Sequence, residues 1–223
     1  MIMQEIYLPV IILALVTVFL ILFFYFETKR REKLAAFAKG LGFDFYKKGN
    51  TKLLDHLNHF HLFSQGHSRK IKNLIYGEKD DVIMGIFGYQ YTTGGGKSSH
   101  TSRQTVLYIS SPQMELPQFV IRPENIFHRI GASFGYQDID FPGHEAFSKQ
   151  FLVRGRNEMA IKSMLNEKIL DYCVNKGKIC TEGKNDQLIV YYQKKRIKPE
   201  LLQSFIKEGL ELFQLYRDAG EKD

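Results

Sequence analysis

Cysteine is scarce in this chain: Cys173 and Cys180 are the only two in 223 residues. Neither sits in a CxxC pair, so no thiolate zinc finger can be assembled. In a reducing compartment the two read as small core residues, and in an oxidising one as a candidate disulfide. Catalytic signatures are absent as well. There is no GxSxG elbow and no HExxH, and neither cysteine has a neighbouring base in sequence, so nucleophilic catalysis finds no support. No fixed-period repeat and no low-complexity linker interrupts the sequence. Charge is missing from Ile6–Phe26, and no Lys or Arg precedes that run.

What is present begins with the run itself. At about 1.5 Å per residue, Ile6–Phe26 would form a helix of roughly 31 Å, close to the ~30 Å hydrocarbon thickness of a bilayer. Pro9 falls in the first turn, where its missing N–H is not needed. Tyr7 and Tyr25 lie near the two ends, where amphipathic rings favour the headgroup level. A cleaved signal fits poorly, because no basic residue precedes the run, the apolar stretch is long and no small-x-small site follows. Lys29, Arg30, Arg31 and Lys33 come directly after it. The positive-inside rule then predicts residues 1–5 outside, a single span over 6–26, and the rest of the chain on the cytoplasmic side of the inner membrane. Those four cations would contact the anionic leaflet.

The chain carries 31 Lys and Arg against 24 Asp and Glu, a net +7. Its basic residues are dispersed among acids, and no RNA-binding aromatic signature occurs, so nucleic acid is not expected as a partner. The membrane is the nearest anionic surface.

Beyond the span, residues 27–42 are expected to continue the helix until Gly40 and Gly42 stop it. Residues 43–223 are expected to form an α+β domain, a mainly antiparallel sheet with helices packed on it, and a sub-boundary is possible near 154–157. Alternation predicts strands at Gly42–Tyr46, Lys70–Glu78, Asp81–Tyr91, Gln104–Ser110, Gln118–Arg122 and Gln150–Arg154. Helical spacing predicts Thr51–Asn58 and Asn157–Asn175. A hairpin, Lys178–Thr181 with Gln187–Gln193, is expected to turn through Glu182–Asp186. Pro199 opens a final helix with the stripe Leu202, Phe205, Ile206, Leu212, Phe213 and Tyr216.

Two constellations invite a functional reading. Gly94-Gly95-Gly96-Lys97-Ser98-Ser99 resembles a phosphate loop, but GxxxxGK[ST] would need glycine where Tyr91 stands, and the context is strand to strand. It reads as a long hairpin loop, Gly94–Arg103, whose glycine amides with Lys97 and Arg103 could receive an anion. The turn Gly66–Lys72 adds Arg69 and Lys70, either as strand-edge protection or as an anion or headgroup site. His56, His59, His61 and His67 crowd twelve positions without a standard metal spacing. The domain is therefore expected to bind a protein partner or an anionic ligand near the membrane, without a cofactor. The alternative is a metal-dependent hydrolase using the histidines.

Several short motifs also carry a resemblance. Phe63-x-x-Gly66-x-x-Arg69-x-x-x-Asn73 leads into Gly77, followed by Tyr89-x-Tyr91-Thr92-Thr93-Gly94-x-Gly96-Lys97, Gln104-Thr105-Val106, Leu116-Pro117 and Arg122-Pro123-Glu124. Together these resemble a family of uncharacterised bacterial proteins with one N-terminal transmembrane helix and a cytoplasmic domain. The resemblance implies that architecture and no catalytic residue.

Overall fold

The computed structural model describes residues 2–49, 51–124 and 138–220. Helix α1 spans Ile2–Leu41 without interruption. It is the one helix among the described residues long and apolar enough to cross a membrane, and no residue of its most apolar stretch, with mean hydropathy 2.8, is buried. Its other end is packed: Leu34 and Ala38 belong to the core. The helix stops where Gly42 takes a left-handed φ of 75°. There Gly42 N–H reaches the Lys39 carbonyl and Phe43 N–H the Ala38 carbonyl, at 3.1 and 2.9 Å. This paired closure satisfies the last carbonyls and turns the chain into the sheet.

Eight strands follow: β1 Asp44–Lys48, β2 His67–Lys79, β3 Val82–Thr93, β4 His100–Ser110, β5 Leu116–Pro123, β6 Phe151–Gly155, β7 Ile179–Asn185 and β8 Gln187–Tyr192. They form one sheet in the order β1-β2-β3-β4-β8-β7-β5-β6, antiparallel at every pairing. The fold is α+β, and strands from both sides of 154–157 share the sheet.

Side-chain alternation gives the sheet two apolar faces. On one, Ile86, Leu107, Ile109, Leu188 and Val190 lie beneath the end of α1 and helices α4 Glu145–Ser148, α5 Glu158–Met164, α6 Glu167–Lys176 and α7 Leu202–Gly220. On the other, Phe87, Tyr89, Tyr91, Val106, Ile189 and Tyr191 are covered by α2 Thr51–Leu57 and α3 His61–Ser64, through Leu57, Phe60, Leu62 and Phe63. The stripe expected on the final helix is buried in full. Gly209 lets α7 approach β4 closely, since a Cβ there would collide with Leu107.

Four expectations need correction. Pro9 stands in the interior of α1, which begins at Ile2, and not in a first turn. The predicted helix Asn157–Asn175 is two helices, because Asn166 caps α6 by accepting from Ile169 N–H. Asn157 caps α5 in the same way, through Ala160 N–H. The predicted turn Glu182–Asp186 is mostly strand: Lys184 pairs with Gln187, so the reversal needs only Asn185 and Asp186. The loop Gly94–Arg103 contracts to six residues, because Thr93 pairs with His100 and the ladder runs on unbroken through Arg103. The threonines at 92, 93 and 101 suit that polar extension. The side chains of residues 1–8, including Tyr7, lie outside the described residues.

Candidate functional site

The β2 entry and the β3–β4 tip meet, as the two expected binding segments require. His67 pairs with Thr92, and its Nε2 lies 3.1 Å from the Gly94 carbonyl oxygen. Gly94, Gly95, Gly96 and Lys97 form the exposed tip. The remaining cations separate by face. Arg69 turns to the α2–α3 side and donates to Asn58 and to the Phe63 carbonyl, tying that cover to the sheet. Lys70, Gln90 and Arg103 lie in one cross-strand row, and Arg103 Nε donates to Gln90 Oε1 at 3.1 Å.

Direction along α1 gives this end of the sheet its meaning. The helix ends beside Gly77, against which Phe43 packs. Further back along α1, Leu34, Arg30, Glu27 and Phe23 line a cleft with Lys72, Gln90 and Arg103. The tip of β3–β4 therefore lies at the end of the sheet from which the apolar half of α1 projects.

The cleft occupies about 160 Å³ between α1 and the β2–β3–β4 face, and Arg196 completes its basic lining. Four cations, Arg30, Lys72, Arg103 and Arg196, face one carboxylate, Glu27. Arg196 donates from both terminal nitrogens to the two Glu27 oxygens, at 2.9 and 3.2 Å. That hydrogen bond holds the Glu27 carboxyl below its usual range. Arg30 Nη2 donates to the Ile197 carbonyl at 2.7 Å, while its Nε is buried without a partner. Burial pulls the Arg30 guanidinium below its ordinary value. Outside the cleft, Lys33 reaches Glu200 at 2.6 Å. Of the four juxtamembrane cations, Arg30 thus lines the cleft, while Lys29 pairs with Glu32.

On the opposite face lies a buried ionic group. Glu182 Oε1 accepts from Tyr191 Oη at 2.8 Å and from Leu62 N–H at 3.1 Å, with Arg122 Nη2 at 3.7 Å. Burial pushes the Glu182 carboxyl up despite Arg122 beside it. Because Leu62 lies in the first turn of α3, this carboxylate pins the α2–α3 cover onto the sheet. Its partners come from α3, β5 and β8, which fits a structural latch.

The histidines are not gathered. His56 and His59 stack edge-on with ring centroids 6.2 Å apart, His61 is buried in α3, and His67 serves the hairpin. Among the described residues no group of three or more His, Cys, Asp or Glu side chains is placed to hold a metal ion.

The fold is shared with a mycobacterial transport factor. The crystal structure of the mycobacterial trehalose monomycolate transport factor A matches with a TM-score of 0.59 at 13% identity, covering 85% of this chain and 93% of that one. No protein-family model and no curated protein matches this chain. The likeness at that identity concerns architecture alone. The family suggested by the motifs gains no support from it.

Arg196 was the residue that sequence reasoning passed over. Its signal was Lys194-Lys195-Arg196-Ile197-Lys198, four cations in five positions, hidden by the general scatter of basic residues. Nothing local indicates that this loop folds onto a segment 169 residues earlier.

Proposed function

We propose that this chain is a single-pass inner-membrane protein with its N-terminus outside and a cytoplasmic domain that acts as a non-catalytic accessory factor in membrane transport. One observation carries the reading: the bare apolar half of α1 and its core-packed half are a single unbroken helix. A domain built this way is fastened to its anchor at a fixed attitude. The orientation takes its support from Lys29, Arg30, Arg31 and Lys33, which follow the span directly. The transport role takes its support from the shared architecture with the mycobacterial factor. The partner is a protein met by the exposed β3–β4 tip, with Gly94, Gly95, Gly96, Lys97 and the neighbouring Lys70 on the contact surface.

Replacing Gly94–Ser99 with a two-residue Asn-Gly turn should leave the fold intact, since the tip is exposed and the flanking strands already pair. In-cell crosslinking at native expression should then lose a protein that the unaltered chain captures. Retention of the same partner would sink the tip as its contact.

Topology has a clean reporter. Cys173 and Cys180 are buried on opposite faces of the sheet, and burial pushes both thiols up to about 12. Both should resist maleimide in the folded protein at neutral pH. A Gly95→Cys variant, placed in open space, should label in permeabilised cells and stay unlabelled in intact ones. Labelling of intact cells by an impermeant maleimide would reverse the proposed orientation.

A further inference from the structure

We propose that the cleft between α1 and the β2–β3–β4 face binds the phosphate of an anionic phospholipid headgroup from the leaflet where the apolar half of α1 ends. The proposal rests on the membrane reading above and adds a ligand to it. Its first support is an unbalanced charge. Glu27 is the sole carboxylate among the lining residues, and both of its oxygens are committed to Arg196. Lys72 and Arg103 have no carboxylate partner among the described residues, and Arg30 has a buried, unpartnered Nε. Cations brought together at a half-covered site repel one another unless an anion joins them, and guanidinium groups match phosphate oxygens in geometry as well as charge.

The second support is the company these cations keep. Phe23, from within the apolar run, lines the same cleft, as do Leu34 and Ile75. A phosphate seated on Arg30 and Arg103 would thus have apolar surface leading toward the hydrocarbon, along which acyl chains can lie. Free phosphate would satisfy the cations and leave Phe23 unused. The volume of about 160 Å³ is below the roughly 300 Å³ at which pockets enclose a whole small molecule. It suits a headgroup whose remainder stays in the bilayer.

The full-length chain would be reconstituted in nanodiscs of phosphatidylcholine with a minor share of phosphatidylglycerol, and the lipids retained after extraction measured by native mass spectrometry. Retained phosphatidylglycerol should far exceed its share of the bilayer. A Lys72→Gln/Arg103→Gln variant should lose about 10-fold or more of that enrichment, the worth of a charge-assisted hydrogen bond to the phosphate. Both side chains are exposed, so circular dichroism should find the fold unchanged. A Lys29→Gln/Lys33→Gln variant removes equal charge outside the cleft and should keep the enrichment. Equal losses in the two variants would reduce the effect to surface charge and overturn the site. Displacement of the lipid by millimolar inorganic phosphate would assign the cleft to the free ion and overturn the lipid. Failure of the chain to enter bilayers at all would instead defeat the membrane reading, whereas insertion without lipid preference would defeat only the cleft.

Discussion

Replacing Arg122 with Met is expected to destabilise the domain by about 3–5 kcal/mol, the usual cost of stranding the partner of a buried ion pair. For a chain of this size that corresponds to a fall in midpoint of roughly 10 °C. The stranded partner is Glu182, which is 1% exposed. Tyr191 and Leu62 would still donate to it, but no positive charge would remain beside it. The deficit should depend on pH in a definite direction. Burial already raises the Glu182 carboxyl above its usual range, and losing Arg122 raises it further. A carboxyl raised in the folded state favours folding in acid, below its unfolded value. That contribution fades as pH climbs through the folded value. The variant should therefore lie closer to the parent near pH 5 than near pH 8. Adding Glu182→Gln should recover much of the loss and flatten the pH dependence, because the amide oxygen can still accept from Leu62. Thermal melts of the full chain in detergent micelles, followed by circular dichroism, would measure all three. A deficit independent of pH would mean that Glu182 is neutral in the native protein and that Arg122 balances nothing.

A second large effect is expected from Ala38→Arg. Ala38 is 0% exposed at the last turn of α1, where its carbonyl closes the helix against Phe43 N–H. A long cation fits there only if the helix end withdraws from the sheet, since the site lies in the packed apolar core. The cost, about 1–3 kcal/mol or more, should fall on the docking of α1, leaving the sheet folded. Spin labels on α1 and α7 would give a narrow distance distribution in the parent and a broad one in the variant. A narrow distribution in both would mean that the helix–domain joint does not depend on this contact.

Sequence and structure diverge at places with physical reasons. The apolar span, the glycine stop at Gly42 and the buried stripe of α7 were legible because each depends on neighbours within a few residues. Glu182-Gly183-Lys184-Asn185 has the composition of a turn and lies in a strand. Glu182 tolerates burial only because Arg122, Tyr191 and Leu62 converge on it from elsewhere in the chain. Gly183 is required there because the Phe119 ring occupies the space a side chain would take. The pause between α5 and α6 was signalled by Asn166, but the apolar spacing across it masked the cap. At the candidate site, Lys70 and Arg103 were identified from sequence, although their placement on the α1 side required the strand register. Arg196 and Glu27 could not be joined by any local rule.

The continuous α1 also has a kinetic consequence. A domain on a slack tether samples every heading, and most of its encounters in the plane of the membrane are wasted. If α1 spans a bilayer as proposed, its last turns are part of the core, and the domain is left with sliding in the bilayer and spinning about the normal. Its glycine-tipped hairpin would therefore keep a constant height and tilt as it diffuses. Two such bodies searching for each other need to match one angle, where freely tumbling ones must match several.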